Sequence, residues 1–158
     1  MSVPTKLEDQ IADLFYRLAE LERRGQNAKR TGKVVETDYE AGKYRIEFKE
    51  EGSNGKPYIS PWLPLKEQGA GAIKVYCPLS VGEQVSVKSE SGDMADAEIE
   101  GSLNWKDEPK PHNKGGEYVM QIGSTRLLVT DSLFRVEAGK VEFEKAGAGG
   151  GRPGVAMA

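Results

Sequence analysis

Apolar residues recur along the first part of the chain at Leu7, Ile11, Leu14, Leu18 and Leu21, spaced four, three, four, three. That spacing is a heptad seam, and it predicts a helix over residues 5–24. Pro4 precedes it, and Thr5-Lys6-Leu7-Glu8 fits the S/T-x-x-E capping box, with Gly25 as the stop. Three uses of the seam fit the pattern: a helix docked on its own domain, a short coiled coil between copies, or a helix offered to another protein. Two heptads hold poorly in water alone, so in each case the helix needs help from its surroundings.

From about residue 31 the period drops to two. Lys33–Thr37 and Tyr44–Phe48 alternate around the turn Tyr39-Glu40-Ala41-Gly42, which reads as a hairpin. Asn54-Gly55 marks a second turn. A segment from Tyr58 to Leu65 follows, interrupted by Pro61 and Pro64, so this strand is irregular or at an edge. After the loop Gly69-Ala70-Gly71-Ala72 come Gln84–Lys88 and Ala97–Glu100, around the turn Ser91-Gly92-Asp93. Short strands at this density suit a small Greek-key barrel of the OB type; another small barrel or sandwich fits the same pattern.

Residues 106–116 mix charge, proline and glycine and read as a linker. Beyond it Gly123, Asp131, Gly139 and Gly147 punctuate the chain every eight residues. Between them run the short alternating segments Tyr118–Ile122, Arg126–Val129, Leu133–Val136 and Val141–Glu144. A strand-and-turn repeat cannot bury its own apolar face, and one copy holds too little apolar material for a closed core. Several chains wound together would close it, with interchain hydrogen bonds on every octad and no exposed strand edges. Met120, Ile122, Leu128, Val136 and Val141 are the expected buried face, with Glu117, Arg126, Arg135, Glu142 and Glu144 solvated. A one-residue shift would reverse that phase. The resulting division is a helix at 1–29, a barrel at 30–105, a linker at 106–116, a β-helix at 117–147 and a Gly-rich tip at 148–158. The tip includes Gly154, Val155, Ala156, Met157 and Ala158.

Composition narrows the function more than the fold. The formal net charge of −3 argues against a protein that neutralises many phosphates. The lone Cys77 excludes an intrachain disulfide and reads as a small apolar residue at a strand end. The N-terminus carries no apolar stretch of the kind a secretory signal needs, and no run approaches a membrane span.

Candidate chemistry is thin. His112, the single histidine, reads as a solvated linker residue, although copies around an axis would place several together. Asp93 and Asp96 read as turn and strand-edge solvation rather than a cation site. Trp62 and Trp105 fit the barrel core or a subunit contact better than a platform for bases. No carboxylate pair has a partner suited to acid–base work, no Ser/His/Asp set can be assembled, and the phosphate-loop pattern is missing. No cofactor is expected. The alternative is an OB-fold nucleic-acid-binding module, which the acidic balance and the Lys49-Glu50-Glu51 strand end disfavour. An enzyme carried on such a scaffold would need an insert, and the barrel runs directly into the repeat.

The order of helix, barrel, linker and repeat resembles the phage baseplate assembly protein V family, the central spikes of contractile tails. The resemblance spans nearly the whole chain. It is carried by Gly32-Lys33-Val34-Val35, Lys43–Glu47, Trp62-Leu63-Pro64, the Gly71–Pro78 loop, Val81-Gly82-Glu83-Gln84-Val85 and Ala97–Leu103. Spikes of contractile bacteriocins and of type VI secretion are similar. The resemblance implies a mainly β protein with an N-terminal helix and an OB-fold barrel, followed by a trimeric intertwined β-helix, or β-prism. It further implies a homotrimer bound to a baseplate hub protein in the virion tail, one that pierces the target outer membrane on sheath contraction. Many such spikes end in a His-x-His metal tip, a motif not found near Ala158; a separate tip protein is the expected substitute.

Overall fold

The structure, a computed structural model, describes residues 6–51 and 55–145. Thr5 of the capping box, Asn54, Gly147 and the tip residues Gly154 to Ala158 lie outside the described residues. The chain divides into two compact units, Met1–Glu108 and Pro109–Ala158.

The first unit opens with helix α1, Leu7–Asn27. Its start and stop both differ from the sequence reading. Lys6 is extended and occupies the N-cap, making no side-chain capping bond, and its carbonyl accepts the Gln10 N–H at 3.0 Å. Glu8 and Asp9 therefore fall in the first turn, where the helix dipole favours negative charge. Gly25 does not end the helix, which continues to Asn27; the Gly25 carbonyl accepts the Ala28 N–H at 3.3 Å. The chain then passes straight into strand β1.

A barrel follows, built from β1 (Lys29–Asp38), β2 (Lys43–Glu51), β3 (Pro57–Ile59), β4 (Leu63–Pro64), β5 (Gln84–Lys88) and β6 (Glu98–Ser102). The sheet order is β3-β2-β1-β5-β6, and β4 pairs with β2. Leu65 bridges Ile99 in parallel, and Lys66 N–H donates to the Ile99 carbonyl at 2.9 Å, so the sheet closes on itself. Pro61 and Trp62 split the expected third strand, Tyr58–Leu65, into β3 and β4. Between them Ser60 replaces ladder bonds with its hydroxyl, accepting the Ile46 N–H at 2.9 Å and donating to the Pro61 carbonyl at 2.8 Å. A bulge between Val34 and Glu36 bends β1, as a tightly curved sheet requires.

Inside lie Val34, Tyr44, Ile46, Phe48, Leu63, Leu79, Val85, Val87, Met94, Ala97 and Ile99. They alternate with outward residues along the strands, and each large aliphatic contributes about 1.5–3 kcal/mol by leaving water. Tyr44 is the polar exception. Its oxygen accepts the Leu79 N–H at 3.3 Å, and burial pushes its phenol above the ordinary value. The long connection between β4 and β5 is pinned at Leu79, whose carbonyl accepts the Tyr39 hydroxyl at 2.9 Å. Cys77 lies exposed in this connection rather than at a strand end, a correction that follows from β5 starting only at Gln84.

The second unit holds an antiparallel meander of β7 (Tyr118–Ile122), β8 (Thr125–Val129) and β9 (Phe134–Glu137). The fourth expected segment, Val141–Glu144, forms no strand among the described residues and shows only an isolated bridge position at Glu142. Gly139 lacks the positive φ that Gly123 has, so the chain does not reverse tightly there.

Candidate functional site

The meander presents the most distinctive surface of the described chain. Ile122 lies opposite Thr125, leaving Gly123-Ser124 as a two-residue turn. Gly123 has φ +57, and glycine at the first central position is what a II′ hairpin turn demands. Asp131 sits in the next turn, closed by Thr130 N–H to the Leu133 carbonyl at 2.8 Å and by Leu133 N–H to the Thr130 hydroxyl at 3.1 Å. These two turns fix the register. Met120 faces Leu127, which faces Val136; Tyr118 faces Val129, which faces Phe134.

Residues opposite one another share a face of the sheet. Tyr118, Met120, Ile122, Leu127, Val129, Phe134 and Val136 therefore stand on one side, with Thr125 the single non-apolar member. Ile122 is 76% exposed and Phe134 71%. A contiguous apolar face left open in this way marks an interaction surface. The opposite side carries Val119, Gln121, Arg126, Leu128, Arg135 and Glu137.

Met120, Ile122 and Val136 share the apolar face, but Leu128 does not. It lies between Val119 and Arg135 on the other side, and Leu127 takes the place the sequence reading gave it. Tyr118, Val129 and Phe134 were missed with it. The signal was available: a two-residue turn at Gly123-Ser124 sets every pairing along β7 and β8. Val141 is half-buried and lies beyond β9. The expected interchain bonds on every octad are also corrected, because both edges of β8 are paired within the chain. Within the meander only the outer edges of β7 and β9 remain open.

His112 is not a solvated linker residue. Its side chain is 16% exposed, and that of Glu117 24%. His112 Nε2 lies 2.6 Å from Glu117 Oε2, and Nδ1 lies 2.8 Å from Arg126 Nη2. Arginine only donates, so Nδ1 accepts and the ring proton sits on Nε2, donated to the carboxylate. The assumption that Glu117 and Arg126 are fully solvated fails with it, since both are drawn into this chain of bonds. The cluster belts the segment before β7 onto β8.

On the first unit, the helix seam Leu7, Ile11, Leu14, Leu18 and Leu21 is exposed throughout, and no residue of α1 is buried. Asp93 and Asp96 are structural. Asp93 Oδ1 accepts the Ala95 N–H at 3.0 Å, and Asp96 Oδ1 lies 2.7 Å from the Ser89 hydroxyl. That bond, with one from Ser91, holds the Asp96 carboxyl below its ordinary range. Trp62 is half exposed beside the Arg45 guanidinium, 5.8 Å from the ring centre. The Lys33 ammonium stacks 3.6 Å above Trp105, whose indole nitrogen is buried without a partner among the described residues. Both tryptophans thus face cations of their own chain. Among the described residues no group of three or more His, Cys, Asp or Glu gathers as a metal site would require. No described helix is long and apolar enough to cross a membrane.

Comparison with curated proteins gives no match. Residues 30–103 match the family described as the type VI secretion system/phage-baseplate injector OB domain. The matched stretch begins in β1 and ends just after β6, so it covers the closed barrel and neither the helix nor the meander. This is a family of structural baseplate and spike components, and its barrel is the one built here from β1 to β6. Over residues 30–103 the chain carries the barrel of the phage baseplate assembly protein V family.

Proposed function

We propose that the protein is the central spike of a contractile-tail baseplate, working as a homotrimer. The observation that carries this reading is the open apolar face of β7, β8 and β9. A single copy leaves that face in water, at a cost that three copies turned toward a common axis would remove. The open edges of β7 and β9 lie where one copy's β9 can pair with the β7 of the next, which would close a three-sided prism without a free edge. Such a β-helix resists unfolding under axial load because no protomer leaves it without exposing the whole face.

In this reading the barrels form a collar bound to a hub protein of the virion tail. The prism points toward the target, and a separate tip protein caps it. Sheath contraction drives the assembly through the outer membrane. The role is mechanical rather than catalytic. Size exclusion with light scattering tests it directly: the expected mass is three times that of one chain. A Leu127→Asp variant, which puts charge on the apolar face, is expected to lose that mass on dilution, whereas a well-folded monomer of the unaltered protein would sink the reading.

A further inference from the structure

The helix α1 raises a separate question, since its whole seam is open to water. Leu7 is 70% exposed, Leu14 65% and Leu21 65%, so the helix is not docked on the barrel through its apolar stripe. In heptad terms Leu7, Leu14 and Leu21 are d positions, and Ile11 and Leu18 are a positions. The flanking g and e positions decide what can lie against them. Arg17 and Arg24 are at g; Glu8 and Glu22 are at e. All the flanking charge is thus positive on one side of the seam and negative on the other.

In a parallel pair, a g residue meets the e residue of the following heptad on the neighbouring helix, so Arg17 of one copy meets Glu22 of the next. In an antiparallel pair, g meets g and e meets e, which sets arginine against arginine and glutamate against glutamate. Arg17 now holds Asp13 at 2.9 Å, an exposed pair worth little. Glu22 makes no ion pair among the described residues. We propose that α1 is covered by the α1 helices of other copies of this chain, in a parallel coiled coil whose register is set by Arg17 against Glu22. Phe15, at an e position and 68% exposed, widens the apolar stripe beyond what two helices cover, which favours three. The proposal rests on the homotrimeric reading and gives that trimer a second fastening, at the opposite end of the barrel sequence from the prism.

The test uses the full chain with Arg17→Glu, Glu22→Arg and the two together. The residues are five apart, so on one helix their side chains diverge by roughly 140° and do not meet; any coupling between them must run between helices. The readouts are helix melting by circular dichroism at varied protein concentration and mass by light scattering. The expected result is a three-chain mass, a lowered melting midpoint for each single variant, and recovery of the midpoint in the double variant. Leu14→Asp should lower the helix midpoint further than either charge variant does. A three-chain mass with additive or absent charge effects overturns the coiled coil and leaves the trimer standing, assigning the seam to a helix of another protein. A one-chain mass overturns both.

Discussion

Glu20 carries the clearest charge arrangement in the helix. Hydrogen bonds from Arg23 and then Arg24, both at 2.9 Å, lower its carboxyl from 4.5 to about 2. A carboxyl depressed in the folded state contributes its stability above 4.5, and that contribution fades as pH falls toward about 2. Helix signal is therefore expected to decline over that interval, and Glu20→Gln should flatten the decline; an unchanged acid profile in the variant would refute the assignment. Because the Glu20–Arg23 pair lies at the surface, added salt should weaken the effect. The His112 cluster makes a different prediction. With Arg126 able only to donate, nitrogen NMR near neutral pH should find the His112 proton on Nε2, and Arg126→Leu should release that preference. Local charge pairs in α1 were legible from three- and four-residue spacing. The His112 cluster was not, because its partners stand 5 and 14 residues away and meet only through the hairpin register.

At the scale of elements, periodicity identified α1 and the strands of the barrel and meander, and it misplaced the details that depend on single backbone bonds. Lys6 stands at the N-cap of α1 because its carbonyl accepts the first helical N–H. The Tyr58–Leu65 strand breaks where Ser60 and Pro61 take over the bonding. The phase of the meander turned on one residue, and the contrast of Leu127 with Leu128 now tests it. Leu127→Asp should leave an assembly that comes apart on dilution, whereas Leu128→Asp should leave the apolar face intact and cost only local stability; equal losses would refute the register. The junction of helix and barrel rests on Gly92. Its φ is +78, and a Cβ there would stand 2.6 Å from Arg24 Cα. Gly92→Ala is expected to cost about 1–3 kcal/mol through strain and the forced shift of the helix end. Thermal unfolding of the full chain would show it, and a neutral result would mean that the helix end moves freely.

Over the whole molecule, the proposed fastenings differ in physics, and salt separates them. The meander face is apolar, so its closure should persist or strengthen as ionic strength rises, since screening leaves the burial of Phe134 or Ile122 untouched. The helix seam has the same apolar core, but its register depends on Arg17 against Glu22 at the solvent boundary. Raising salt from about 0.1 to about 1 M shortens the screening length from roughly 10 to roughly 3 Å, which weakens such pairs and leaves the seam itself. The expected outcome is a three-chain mass at both salt levels, with a lower helix melting midpoint at the higher one. The barrel needs neither fastening to fold, because its core closes within one chain through Leu65 and Ile99. Truncation after Glu108, the boundary of the first unit, should therefore leave a folded barrel that assembles only through α1. Its trimerisation should weaken with both dilution and salt, while the full chain resists both. A truncated protein as salt-resistant as the full chain would place the main fastening in the first unit and remove the meander from that role.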